Sequence, residues 1–368
     1  MGNWSHWNSR TESLGAGLLV VLAAGVALYL KVRLYGSITY FDAVVPLIVL
    51  TPSQFEIYAS YINPAHGPFP VLLVILYCLS WTIKSLPWRY VFVILTCFVT
   101  TYTGFGLFLG LITPVLLALD WYMNSRSSWS LAALLASVVS FGSFFIGYKV
   151  APAIACYGTE RADPVSVSLT HSIGYLRFAS LMFANLFQIK GSSLLPTLSG
   201  SIILALLATS FLICLRRLFV KDERWLQRLI PATLLGYSLL LTAFTAIGRL
   251  CTGLPGAQQA RYMPYLVLGV VGLYFFFVSI RQNAGMVILF TAALLSSIFI
   301  NSADRGRMTW VAAGKQEWKN CYLNIRSVEK CNAYTNFRVD SDADPSDLKS
   351  KLDLLERNRF NLFAELRQ

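Results

Sequence analysis

The chain has 368 residues, 56% of them hydrophobic and 13% charged, with a formal net charge of +12. A water-soluble domain needs far less apolar sequence, and the basic residues form no dense run of the kind that grips nucleic acid, so neither a soluble enzyme nor a nucleic-acid binder fits. Long apolar runs separated by short basic gaps fit an all-α, polytopic transmembrane helix bundle of about ten spans, some short or broken, over residues 1–301. A small polar C-terminal domain follows over 302–368.

The opening residues MGNWSHWNSRTES carry no basic leader and no small-x-small cleavage pattern, so Leu14 to Leu30 is expected to be a retained span. Further apolar segments cover residues 42–62, 68–83, 91–102, 104–123, 130–147, 197–214, 229–248, 262–280 and 285–301. The run from Val91 to Met123 would make one helix of about 50 Å, too long for a bilayer core of about 30 Å, and Gly104 and Gly106 offer a break. Pro46 and Pro52 interrupt the 42–62 segment, which also holds Asp42 and Glu56, so it is expected to be broken or re-entrant.

Basic residues in the short gaps set the orientation: Lys31 and Arg33, Lys84 and Arg89, Arg126, Arg216 to Arg228, and Arg281 share one side, which the positive-inside rule makes cytoplasmic. The long 148–196 connection, the 249–261 loop and the tail then lie outside. Within the connection, Ile173 to Phe187 is apolar but holds Arg177 and is read as an interfacial helix. The tail carries twelve basic and ten acidic residues and no apolar run. Its last helix begins near Pro345 and places Leu348, Leu352, Leu355 and Leu362 on one face, to dock on its own protein or on a membrane surface.

The first 301 residues contain only eight carboxylates. An acid beside a bilayer is costly unless paired, solvated or used, so these few come first as candidates. Glu56 has no basic neighbour before Lys84, and partial desolvation would raise its pKa toward the range of a general base; the alternative is a solvated loop acid. Asp42 is a weaker candidate base that otherwise caps the following segment, and Asp120 reads as structural. Arg249 and Arg261, with Tyr262, sit at the two ends of one loop. They either snorkel to lipid headgroups or hold an anion bidentately, the phosphate of a lipid carrier above all. Gln54, His66 and Arg177 complete the candidate binding set. No zinc-type spacing occurs among His6, His66 and His171; the sequence points to no specific cofactor and leaves room for a divalent metal. Cys78, Cys97 and Cys214 read as core residues. Cys156, Cys251, Cys321 and Cys331 would face an oxidising side, with Cys321 and Cys331 the preferred disulfide pair.

With these residues in view, the chain resembles uncharacterised bacterial multi-pass proteins similar to the GT-C superfamily of membrane glycosyltransferases. The residues that carry the resemblance are Ser53-Gln54-Phe55-Glu56 after a Pro-containing apolar segment, Gly248-Arg249, Ala260-Arg261-Tyr262-Met263-Pro264, and the closing Leu354-Leu355-Glu356-Arg357-Asn358-Arg359-Phe360-Asn361-Leu362-Phe363. The resemblance implies transfer of a sugar from a polyprenyl-phosphate carrier on the external face of a bacterial inner membrane, with membrane lipid as the partner, no nucleic acid and no protein partner specified. It departs from the family where GT-C enzymes keep an acid in a large loop after the first span. Here Lys31 to Thr39 is short and basic, so either Glu56 or Asp42 replaces that acid, or the chain is an N-terminally shortened, non-catalytic form. The alternatives are a transporter-like or lipid-binding subunit and a structural component of an envelope assembly.

Overall fold

The computed structural model describes residues 9–51, 54, 64–124, 126–147, 172–220, 223–250, 253–298, 302–339 and 345–363. Among these, the regular structure is entirely helical, with fourteen α-helices and no strand. They fall into two compact units, one made of residues 19–54 and 65–299, the other of residues 1–18, 55–64 and 300–368.

Among the described residues, four helical segments are long and apolar enough to cross a membrane: α1 (Ser9–Tyr35), α8 (Leu194–Leu218), α9 (Trp225–Arg249), and α10 (Met263–Ser279) together with the 3-10 turn Ala260–Tyr262 before it. α9 and α10 form the centre of the larger unit. They are antiparallel, and glycine lets them close up: a side chain at Gly269 would collide with Ser238, and one at Gly272 with Leu234 and Leu235. On α10 every residue from Met263 to Phe276 is buried. α1 and α8 are peripheral, and α8 exposes Leu194, Leu195, Leu198, Ile202, Leu206 and Leu212.

Shorter helices pack around that pair. α2 (Val44–Val49) and α11 (Asn283–Ile298) flank α10, and the Ser297 hydroxyl donates to the Leu47 carbonyl at 3.2 Å. On another side stand α3 (Pro68–Ser80), α4 (Leu86–Thr101), α5 (Leu107–Met123) and α6 (Ser128–Ser143). Proline occupies the first turn of α3, α4 and α10, where its missing N–H costs nothing. The segment 91–123 breaks as the length argument requires. Gly104 has a left-handed φ of +40°, and a Cβ at Gly106 would strike the Thr100 carbonyl, so only glycine lets the chain turn from α4 into α5 there. The described part of the 42–62 segment is also broken, into a 3-10 turn (Tyr40–Ala43) and the six-residue α2.

α7 (Ser172–Leu186) covers the segment read as an interfacial helix. Every residue from Phe178 to Leu186 is buried, so that half of α7 is a core element. Only its first residues, including Ile173 and Leu176, are exposed.

In the smaller unit, α12 (Ser302–Ile325), α13 (Val328–Thr335) and α14 (Pro345–Asn358) enclose a core of Trp318, Tyr322, Val328, Phe337, Leu352 and Phe363. Leu348, Leu355 and Leu362 pack against it beside Leu352, so the leucine face of α14 is spent within this unit. A disulfide joins Cys321 of α12 to Cys331 of α13, with Cα atoms 5.7 Å apart. The Trp318 indole N–H donates to Asn332 Oδ1 at 2.8 Å, which satisfies the polar edge of a buried ring.

Candidate functional site

Helix directions sort the charges of the larger unit into two ends. α1 finishes, α3 turns into α4, α5 into α6, α8 into α9 and α10 into α11 at one end, which collects Lys31, Arg33, Lys84, Arg89, Arg126, Arg216, Arg217, Arg224, Arg228 and Arg281. Contacts fix this alignment: Tyr35 OH donates to the Gln227 carbonyl at 3.1 Å, the Trp81 and Trp225 rings meet edge-on at 5.9 Å, and Arg228 donates to the Arg217 carbonyl. The described acids of this unit, Asp42, Asp120 and Glu223, lie at the same end. Asp120 is buried and fully engaged, accepting from Tyr90 OH at 2.7 Å and from Asn124 Nδ2 at 3.0 Å.

Asp42, a candidate base in the sequence, is also engaged. Its Oδ2 pairs with Lys31 Nζ at 2.8 Å and accepts from the Thr39 amide, while Oδ1 accepts from Tyr274 OH at 2.6 Å. Both charged partners are about 2% exposed. With its lone pairs taken and no surface to present, this carboxylate locks the α1–α2 connection onto α10 and has no room for an acceptor hydroxyl. It is also remote from the arginines, because Tyr274 lies eleven residues beyond Met263, about 16 Å along the helix axis.

The opposite end has another character. Arg249 closes α9, half-buried, and Arg261 stands exposed before α10 with its guanidinium 5.4 Å from the Tyr262 ring centroid. Tyr262 is buried against Phe105 (ring centroids 6.5 Å apart), Phe105 meets Tyr265 edge-on at 5.0 Å, and Tyr237 OH donates to the Phe105 carbonyl. The turn Pro64–His66 leads into α3 here, and the Cα of exposed His66 lies 3.3 Å from where a Cβ on Gly104 would stand. The fold therefore brings Arg249, Arg261, Tyr262 and His66 to one end. Gln54 serves the chain instead: buried, it donates to the Val49 carbonyl at 2.9 Å, the orphan acceptor at the close of α2. Glu56 lies outside the described residues, as do His171, Cys156 and Cys251.

Arg177 and α7 belong to this end through an unusual path. The hydroxyls of Ser180 and Ser201 are 2.9 Å apart; Arg177, three residues earlier, donates to the carbonyl of Ser192, nine residues earlier. Both steps run the same way, so α7 and α8 are parallel although only seven residues join them. Seven extended residues reach about 23 Å, enough to retrace a helix of fifteen. α7 thus descends into the unit, ends, and the chain climbs back beside it. The stop is a left-handed cap, with Gln188 at φ 62°, its N–H on the Asn185 carbonyl and that of Ile189 on the Ala184 carbonyl.

Where α7 ends, Asn185 Nδ2 donates to the Gln258 carbonyl at 2.8 Å, and Gln258 holds the returning chain by accepting from Gly191 N–H and donating to the Ile189 carbonyl. Sequence reasoning passed over Asn185, Gln258 and Gln259. The available signal was a lone amide in the apolar run 178–187 and a Gln pair at the mouth of a span. Among the described residues of the larger unit, which excludes Glu12 in the first turn of α1, this end carries Arg177, Lys190, Arg249, Arg261 and His66 and no carboxylate. No group of three or more His, Cys, Asp or Glu converges among the described residues, so none of them provides a donor set for the divalent metal.

The described residues form an all-helical fold with four segments long and apolar enough to cross a membrane. The chain matches no protein-family model, and neither a curated protein nor a solved structure aligns with it significantly.

Proposed function

We propose that this chain is a multi-pass integral membrane protein that binds the phosphate of a polyprenyl-phosphate carrier at the cationic end of its larger unit and transfers the attached sugar there, on the external face of a bacterial inner membrane. The observation that carries the reading is the charge sorting. Four basic side chains and no described acid stand at one end of a unit whose flanks are apolar, which matches a ligand with an anionic head and a hydrocarbon tail. The concentration of gap arginines and lysines at the other end supports a cytoplasmic assignment for that end. The Cys321–Cys331 disulfide supports an oxidising, external side for the tail. In this reading about ten segments span or enter the bilayer and the exposed leucines of α8 face lipid.

Arg249 and Arg261 hold the phosphate and stabilise the charge it gains as the glycosidic bond breaks. Glu56, outside the described residues, is the candidate base for the proton of the attacking hydroxyl. The engagement of Asp42 at the far end favours one second reading, lipid-phosphate binding without transfer, because it leaves Glu56 as the remaining candidate base. The test is binding and turnover by the full chain in lipid nanodiscs. Arg249→Ala/Arg261→Ala is expected to abolish retention of polyprenyl phosphate. Glu56→Gln is expected to retain it and lose transfer; unchanged binding in the double mutant would overturn the assignment of the site.

A further inference from the structure

The inner end of α7 carries two buried acceptors with no hydrogen-bond donor among the described residues. Asn185 is 1% exposed; its Nδ2 is committed to the Gln258 carbonyl and lies 3.7 Å from Met263 Sδ, while its Oδ1 has no hydrogen-bond partner. Turning the amide over would set its oxygen against the Gln258 carbonyl, acceptor against acceptor, so the network fixes the orientation. Gln259 Oε1 is likewise buried and unpartnered. The Gln258 carbonyl that Asn185 grips belongs to the peptide leading into Gln259, so both orphan oxygens branch from one hydrogen-bonded link. Leaving such an acceptor desolvated costs about 1–3 kcal/mol, and two on one hydrogen-bonded link call for donors that the described residues do not supply.

The surroundings select the donor. A cation would satisfy two amide oxygens, but the charged neighbours at this end, Arg177, Lys190, Arg249 and Arg261, all repel it. Neutral hydroxyls carry donors without that penalty. Gln259 is half-buried and leads within two residues to exposed Arg261, so the link runs from the interior to the arginine surface. We propose that Asn185 and Gln259 are a subsite for the hydroxyl groups of a sugar headgroup whose phosphate lies on Arg249 and Arg261. This rests on the phosphate reading of those arginines and adds to it the residues that read the headgroup.

The probes are a polyprenyl phosphate and the same lipid with a hexose esterified to its phosphate, titrated by native mass spectrometry against the full chain in nanodiscs. The wild type is expected to prefer the hexose-bearing lipid by about tenfold or more. Asn185→Leu should erase that preference while plain polyprenyl phosphate still binds. Gln259→Met, at a half-buried position, should reduce it and keeps the test decisive should Asn185→Leu fail to fold. Equal affinity of the wild type for the two lipids, or a preference that survives in Gln259→Met and in folded Asn185→Leu, overturns the subsite while the phosphate site stands. Retention of neither lipid overturns the phosphate reading, and the subsite with it.

Discussion

Lys31 and Asp42 meet at 2.8 Å with almost no exposure, and the hydroxyl of Tyr274 closes the other carboxylate oxygen. A buried pair is strongly sensitive to the loss of one member, since the survivor keeps its charge and loses its partner. Lys31→Met or Asp42→Asn is therefore expected to cost about 3–5 kcal/mol, read as a lowered thermal midpoint in detergent. The double variant Lys31→Met/Asp42→Leu should regain most of that loss, though not all, because Tyr274 OH and the Thr39 amide lose their acceptor. Polyprenyl-phosphate binding by the folded double variant should equal the wild type. A loss there would tie Asp42 to the site after all.

The close parallel packing of α7 on α8 depends on Gly200, where a Cβ would sit on the Ser180 carbonyl. Gly200→Ala is expected to force the helices apart and destabilise the larger unit by about 1–3 kcal/mol. Gly142→Ala on α6, where a Cβ meets nothing within 4 Å, is the matched control and should be neutral or slightly stabilising. Thermal midpoints of the two variants decide it; equal midpoints would remove the close approach as a source of stability.

In the smaller unit, the disulfide closes a loop of sequence separation 10 between α12 and α13. Chain-entropy reasoning assigns such a loop about 2–3 kcal/mol. Cys321→Ser/Cys331→Ser should raise amide exchange across α13 by about 30-fold or more, while exchange in α9 and α10 stays unchanged. A spread of the effect into α9 would show that the tail and the apolar unit fold together.

Burial pushes the Lys315 ammonium below its ordinary value of 10.5. The unfolded chain then holds that proton to higher pH than the folded one, so local stability rises as the pH approaches about 10.5 from below. Tyr322 opposes this at the alkaline edge, because burial, and then nearby Asp353, raise its phenol above 10.0; the folded state keeps that proton longer and loses stability there. Lys315→Met should slow exchange around residues 315–322 at about pH 7 and shrink the gain seen on moving toward about pH 10.5. A wild type whose protection falls over that interval contradicts the assignment.

Much of the architecture was legible in local chemistry. The break between α4 and α5 followed from a helix too long for a bilayer and from two glycines, and the leucine face of α14 from its spacing, because both depend on backbone sterics and periodicity within one segment. The amino-acid sequence by itself also determined the apolar character of the long helices, the scarcity of acids and the placement of Arg249 and Arg261 at one end of the larger unit, since both border the connection between two antiparallel helices. Tertiary structure alone decided what Asp42 and Asn185 do. Asp42 has the composition of a candidate base, but its meaning depends on Lys31 and on Tyr274, 232 residues away, which neutralise and enclose it. Asn185 looks like an incidental amide until α7 turns back beside α8 and sets it against Gln258, 73 residues on. Desolvation and pairing are properties of neighbours, and neighbours distant in the chain are chosen by the fold.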